Sequence, residues 1–181
     1  MTENEINDDR EQTALPKDNF FWTVMGFVIK IGWITLFIVL MLCFVVGIRT
    51  NSGINMSPKF QDRDILVYYR LTQKFTADDV VVFVNDKNYS IVGRVVAVEG
   101  DTVDITADGL KINGYYHNDN YAVGDTLPFK NGITFPVTLQ KDEYFILFDD
   151  RSKSGDSRTV GVVAKKNIKG KVILSLRYRD F

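Results

Sequence analysis

The chain has almost no cysteine or histidine, since one of each occurs among its 181 residues. Cys43 lies inside an apolar run and has no second cysteine with which to form a disulfide. Together with His117, it also supplies too few ligands for an internal zinc site, which usually takes four. We therefore expect that the protein binds no metal and needs no cofactor.

The chain also lacks an excess of either charge, because 22 lysine and arginine residues face 23 aspartate and glutamate residues. No block of basic residues stands out, so we expect no nucleic-acid partner. Acidic residues are concentrated in residues 1–19, which contain few apolar side chains. A segment that can bury so little apolar surface is predicted to be a disordered tail.

The longest apolar run of the sequence carries almost no charge. Residues 20–48 are apolar apart from Lys30 and some small polar side chains, and residues 31–48 carry no charge. About 18 such residues are enough for a helix that crosses the hydrocarbon core of a membrane. A cleaved signal peptide is the alternative, but the acidic leader lacks a basic start and residues 45–49 offer no small-x-small cleavage site. The run is therefore predicted to be an uncleaved, single-pass anchor.

The length of the chain allows one domain and an attachment. We predict a tail at residues 1–19, an anchor at residues 20–48 and one domain at residues 49–181. The charges that flank the anchor are nearly balanced, with Lys17 and Lys30 on one side and Arg49 and Lys59 on the other. Charge alone therefore does not set the orientation in the membrane.

Residues 49–181 are predicted to be all-β and antiparallel, because they contain short runs of β-branched and aromatic residues and no helical period of useful length. Turn residues punctuate these runs, and Asn113-Gly114 is typical of a hairpin turn that needs positive φ. The predicted strands are 65–69, 80–84, 91–98, 102–106, 110–112, 135–139, 144–148, 161–164 and 172–176.

Three segments of the sequence carry the most specific motifs. Gly53-Ile54-Asn55-Met56-Ser57-Pro58 is followed by Asp64, and the other two segments are Gly93 to Asp101 and Phe148 to Arg158. In this order they resemble the three boxes of type I signal peptidases, which read G-x-S-M-x-P, K-R-V-x-G-x-P-G-D and G-D-N-R-x-x-S-x-D-S-R. The residues that match the family are Gly53, Met56, Pro58, Asp64, Arg94, Gly100, Asp101, Asp156, Ser157 and Arg158.

The resemblance implies a two-sheet antiparallel domain on one N-terminal transmembrane helix, with its groove facing the membrane surface. It also implies that the tail is cytoplasmic and that residues 49–181 are extracytoplasmic. Family members pair the aspartate and arginine that correspond to Asp156 and Arg158, which shapes the loop beside the catalytic lysine. Here we expect that pair to stabilise its loop, and we expect turns at Gly100-Asp101 and Asp149-Asp150.

The family's chemistry needs a serine that attacks the scissile carbonyl and a neutral lysine that accepts its proton. Asn55 stands at the serine position, and Gly93 stands at the lysine position. An amide is no useful nucleophile, and a glycine has no side chain that could accept a proton. The two substitutions together predict a pseudoenzyme with no catalytic residues.

Displaced residues are the alternative to a vacant dyad. Ser57 lies two positions after Asn55, while Lys87 and His117 fall in polar, loop-like segments. A pairing of Ser57 with Lys87 or with His117 would give an active signal peptidase, a serine-type endopeptidase that cleaves signal peptides. We regard these three residues as weak candidates.

Signal-peptidase-like proteins without the dyad, the SipA-type group, occur in pilus gene clusters of Gram-positive cocci. This chain resembles them in its anchor, its size and its two vacant positions. The resemblance implies a chaperone-like factor in sortase-dependent pilus assembly, with pilin subunits or the sortase as partners. A structural scaffold that recruits the sortase without using the groove is a further alternative, and a homodimer remains an open option.

Overall fold

The structure is a computed structural model that describes residues 19–85 and 88–177. Its internal contacts divide the chain into two units, with the division between Leu42 and Cys43. The predicted tail, apart from its last residue, and the candidate Lys87 lie outside the described residues.

Helix α1 (Asn19–Val45) contains most of the predicted anchor. Its 27 residues correspond to a length of roughly 40 Å, which exceeds the ~30 Å hydrocarbon core of a membrane. Large apolar side chains are exposed along the whole helix instead of forming a single stripe, a distribution typical of helices surrounded by lipid. The helix is long and apolar enough to cross a membrane. The last residues of the predicted run, 46–48, belong to a strand.

The second unit is built from two antiparallel sheets. The larger sheet has seven strands in the order β1-β2-β11-β3-β4-β9-β10, and the smaller has four in the order β7-β6-β5-β8. The strands of the larger sheet are β1 (Val46–Thr50), β2 (Ile65–Tyr69), β3 (Val80–Val84), β4 (Ser90–Ala97), β9 (Glu143–Leu147), β10 (Val163–Ala164) and β11 (Ile168–Leu176). Those of the smaller sheet are β5 (Thr102–Thr106), β6 (Gly109–Ile112), β7 (Tyr115–Tyr116) and β8 (Val137–Thr138).

This arrangement confirms the predicted fold class. Each predicted strand overlaps an observed one, and Asn113 and Gly114 both adopt positive φ, at 54° and 83°. Sequence patterns missed β1, which continues the apolar run of the helix, and the two-residue strand β7. A short helix, α2 (Ser157–Val160), begins at the end of the third motif.

Two apolar clusters fill the unit. The first lies against β2, β3, β4 and β9 and includes Met56 and Phe60 from the loop between β1 and β2. The second lies between the smaller sheet and the other residues of β4 and β9, among them Phe145 and Leu147. Strands β4 and β9 therefore contribute to both clusters, which places the second and third motifs at the centre of the domain.

Candidate active-site groove

The first motif lies in the loop between β1 and β2, and its base is closed by the backbone. The N–H of Asn51 donates to the carbonyl of Asp64 at 2.7 Å, and the N–H of Arg63 donates back to Asn51 at 3.0 Å. The Asn51 side chain also donates to the carbonyl of Gln61 at 2.8 Å. These bonds extend the ladder of β1 and β2, so the loop leaves the sheet from a fixed point.

Buried side chains hold this loop against the domain. Met56 is completely buried in the first cluster, and Asp64 is buried with its carboxylate accepting the N–H of Gln61 at 2.8 Å. Asn55 is half-buried, and its carbonyl accepts the N–H of Asp150 at 3.0 Å. The nucleophile position is thereby tied to the third motif through the backbone.

A cavity of about 200 Å³ opens beside Asn55, and we call it the Asn55 cavity. It is lined by residues of β1 and the loop that follows it, and by the start of β4 with the residue before it. Three strands separate β1 from β4 in the sheet order. Both strands nevertheless line the Asn55 cavity, which requires the sheet to be curved. The lining residues are Arg49, Asn51, Ser52, Asn55, Tyr89, Ser90, Ile91 and Val92.

Strand β1, which lines the Asn55 cavity, is an edge strand of the larger sheet. Among the described strands, β1 pairs with β2 alone. The N–H of Arg70 donates to Val45 and that of Asn51 donates to Asp64. Hydrogen-bonded pairs alternate in an antiparallel ladder, so the backbone groups of Gly47 and Arg49 face β2 while those of Thr50 face outward. The outward groups are available to an added strand.

Gly93, which the sequence motifs assign to the position of the family's lysine, is enclosed by packed side chains. A Cβ built there would lie 2.6 Å from Cγ2 of Ile146, 3.0 Å from Cε1 of Phe83 and 3.3 Å from the carbonyl oxygen of Leu147. Ile146 and Phe83 are both fully buried. The space in which a side chain would begin is occupied by the first cluster, so a larger residue at this position requires its neighbours to move.

The arginine that follows this glycine forms a buried ion pair. Arg94 donates from Nε and Nη2 to the two carboxylate oxygens of Asp149, at 2.8 and 2.6 Å, and from Nη1 to the carbonyl of Asp78 at 3.0 Å. Burial acts to lower the pKa of Arg94, but the hydrogen bond and charge of Asp149 outweigh it and raise the pKa. The ring of Tyr121 covers the guanidinium at 4.1 Å. Asp149 therefore links β4 to the segment that follows β9. From the sequence we expected only a turn at this residue.

A second buried pair organises the third motif. Arg158 donates to both carboxylate oxygens of Asp156, the shortest bond being 2.8 Å from Nη2, and to the carbonyls of Leu127, Arg151 and Lys153. The carboxylate of Asp156 also caps α2 by accepting the N–H of Arg158. The pair therefore holds the loop that precedes α2, as the resemblance led us to expect.

Two further residues that match the family's motifs, Ser157 and Asp101, form hydrogen bonds to backbone N–H groups. The hydroxyl of Ser157 accepts the buried N–H of Ile146 at 2.9 Å, which ties α2 to β9. Asp101 accepts the N–H of Val98 at 2.9 Å in a turn where Gly100 has φ of 90°. The turn expected at Gly100-Asp101 is therefore present.

Of the three displaced candidates, the structure describes Ser57 and His117. His117 bonds to Asp119 at 2.8 Å and lines a different cavity of about 530 Å³, which no serine of the described residues lines. Asp119 also pairs with Arg151, whose pKa is lowered chiefly by burial. Ser57 lines neither cavity. Neither of these two cavities therefore brings Ser57 and His117 together.

Sequence reasoning missed two features of the groove. Arg49 lines the Asn55 cavity from β1, which the sequence assigned to the end of an apolar run. Asp149 looked like a turn residue because it stands beside another aspartate. Its position one residue after a predicted strand, with Arg94 on another strand, was the signal that could have revealed the ion pair.

Known proteins place the chain in a family. The sequence model of the signal peptidase family, peptidase S26, matches residues 24–177. Because this covers most of the chain, the protein belongs to the signal peptidase family.

Individual relatives of this chain are named signal peptidases. Signal peptidase IB of Staphylococcus aureus (strain COL) is 32% identical over 172 residues, which cover 84% of this chain and 87% of the relative. Signal peptidase I of Bacillus amyloliquefaciens is 33% identical over 129 residues, with 66% and 69% covered. A crystal structure of a signal peptidase I from Enterococcus faecalis V583 is 25% identical, covers 56% of this chain and 98% of its own, and superposes with a TM-score of 0.45.

Proposed function

We propose that this protein is a non-catalytic member of the signal peptidase family that holds an extended peptide in its groove. By its resemblance to the SipA-type group, it acts as a chaperone-like factor in sortase-dependent pilus assembly. The observation that carries the proposal is Gly93, whose missing side chain is replaced by the packing of Ile146 and Phe83. Asn55 at the nucleophile position supports it independently.

The proposed mechanism is strand addition. An extended peptide adds to the open edge of β1 through main-chain hydrogen bonds, while pockets beside the edge accept alternate side chains. The outward backbone groups of Thr50 and the Asn55 cavity supply both parts of such a site. Neither part needs a nucleophile or a proton acceptor, so capture of a peptide is compatible with an amide and a glycine at the dyad positions.

We further propose that helix α1 crosses the cell membrane once, with residues 1–19 in the cytoplasm and residues 49–181 outside the cell. The partners in this arrangement are pilin subunits, the sortase or both. A domain held at the outer surface by its anchor would meet pilin subunits as they leave the membrane, before the sortase joins them.

Binding of pilin to the full-length protein in detergent tests the proposal. Thr50→Pro removes one outward N–H from β1 without removing a bond to β2, and Thr50→Ala is the matched control that keeps this N–H. One lost hydrogen bond of about 0.5–1.5 kcal/mol predicts binding weakened roughly two- to tenfold by the proline and unchanged by the alanine. Absence of measurable pilin binding by the unaltered protein would refute capture.

Cleavage of signal peptides is the second candidate, because the relatives are named signal peptidases. It predicts that the purified full-length protein cuts a signal-peptide substrate in detergent and that Ser57→Ala abolishes the cut. No cleavage by the unaltered protein would remove this candidate. Pilus assembly that persists after substitution of both Asn55 and Gly93 would instead favour a scaffold that does not use the groove.

A further inference from the structure

The Asn55 cavity is lined by one arginine, Arg49, that has no ion-pair partner among the described residues. Nε of Arg49 is buried and forms no hydrogen bond, and its guanidinium forms no ion pair with the described residues. Arg94 and Arg158 behave differently, since each binds a carboxylate through two nitrogens. Arg151 also has two buried nitrogens without a hydrogen-bond partner, but its charge is paired with Asp119. A buried donor without a partner is destabilising unless something else binds it.

The lining of the cavity favours one kind of ligand. Among the described residues that line it, Arg49 is the only charged side chain, so its positive charge is not balanced from within. Ser52, Asn55 and Ser90 add neutral polar groups that are able to donate hydrogen bonds. The guanidinium matches a carboxylate in shape, because two parallel N–H groups can bind its two oxygens.

The dimensions of the cavity fit a side chain. Its volume of about 200 Å³ is several times the ~30 Å³ that one water molecule occupies in the liquid. Asn51, which also lines the cavity, uses its amide to bind Gly53 and Gln61. It therefore fixes the wall of the cavity, and Arg49 remains the charged residue of the lining that forms no ion pair with the described residues.

We propose that the Asn55 cavity is a carboxylate-binding subsite, in which Arg49 binds an acidic side chain or the C-terminal carboxylate of a peptide. The inference rests on the proposed function, because the cavity lies beside the edge on which the peptide would add. Arg49 is the residue that determines specificity, and it selects peptides that present a carboxylate at the position held opposite Asn55.

The subsite is tested by NMR of the full-length protein in detergent, with the arginine Nε–H groups labelled with ¹⁵N. One pair of probes is N-acetylglutamate N-methylamide and its glutamine counterpart, and the other is N-acetylalanine and its amide. The first pair reports on an acidic side chain and the second on a terminal carboxylate. We expect at least one acid to shift the Arg49 signal and to bind roughly ten- to a hundredfold more tightly than its neutral counterpart.

Three variants make the test specific. Arg49→Gln should abolish the preference for acids. Arg49→Lys should retain part of this preference, because lysine keeps the positive charge but lacks the two parallel N–H donors of the guanidinium. Arg70→Gln is the control, since Arg70 is exposed and does not line the cavity. Equal binding of acid and neutral probes in both pairs, or a preference that survives Arg49→Gln, would overturn the subsite.

The two proposals fail in different ways. If pilin binds and Arg49→Gln leaves both its affinity and the probe titrations unchanged, the carboxylate subsite is wrong and peptide capture stands. If the acid probes bind through Arg49 and pilin does not bind, capture of pilin is wrong and the carboxylate site stands.

Discussion

Addition of one methyl group at Gly93 should destabilise the domain. The Cβ of Gly93→Ala would lie 2.6 Å from Cγ2 of Ile146 and 3.0 Å from Cε1 of Phe83, and both side chains are fully buried. Overpacking of this kind costs about 1–3 kcal/mol. The backbone of Gly93 does not have positive φ, so alanine can adopt it without strain. Alanine also lowers the conformational entropy of the unfolded chain, which stabilises the folded protein by about 0.4–1 kcal/mol and offsets part of the cost. We expect a net loss of roughly 1–2 kcal/mol.

The clash with Ile146 can be isolated by a double-mutant cycle. Ile146→Ala removes the nearest atom and by itself should cost about 2–5 kcal/mol. In that background Gly93→Ala should be neutral or stabilising, because the added methyl enters the space that the isoleucine leaves. The sign of the Gly93→Ala effect should therefore reverse between the two backgrounds.

The free energy of unfolding is measured for the full-length protein in detergent by urea titration. The β-domain signal is followed by far-UV circular dichroism, since both tryptophans lie in helix α1. Leu139→Ala is the matched control, because Leu139 is buried in the second cluster and should add to Gly93→Ala within about 0.5 kcal/mol. Equal effects of Gly93→Ala with and without Ile146 would refute the steric reasoning.

Three further predictions concern polar side chains of the domain. Asp149→Asn should cost about 3–5 kcal/mol in urea titrations because it leaves the buried charge of Arg94 uncompensated, whereas loss of a surface ion pair would cost under about 1 kcal/mol. Ser157→Ala should cost about 1–3 kcal/mol by leaving a buried N–H of β9 without an acceptor. The hydroxyl of Ser152 lowers the pKa of Asp150, so Ser152→Ala should raise that pKa in a carboxyl NMR titration. Because the lowered pKa favours the ionised form of the folded protein, this small stabilisation is present above the ordinary aspartate pKa and disappears on acidification through the lowered one.

Much of the fold followed from local patterns. Strands β2, β3 and β5 were predicted with their observed bounds because each is a compact run of β-branched or aromatic residues between turn residues. Strand β1 was missed because Val46 to Ile48 continue the apolar run of the helix, and composition does not separate a membrane span from a strand that follows it directly. The end of the helix depends on the pairing of β1 with β2, which is a tertiary contact.

The packing of the candidate site was not predictable from the sequence. The motifs assigned Asn55 and Gly93 to the dyad positions by spacing alone, and that assignment stays a prediction. That Ile146 and Phe83 fill the space beside Gly93 depends on how β4 pairs with β3 and β9, and β9 is far from Gly93 in sequence. The unpaired Arg49 was likewise invisible, because absence of a partner is a property of the folded surroundings.

The hydrogen bonds of Arg158 bear on how family membership is interpreted. Its guanidinium gathers the carboxylate of Asp156 and three backbone carbonyls, so both residues are required to build the loop whether or not a peptide bond is ever hydrolysed. Asp156 and Arg158 are among the residues that match the family's third motif. A match at these two residues therefore indicates a chain that can build the loop, whereas peptidase activity has to be judged from the two dyad positions.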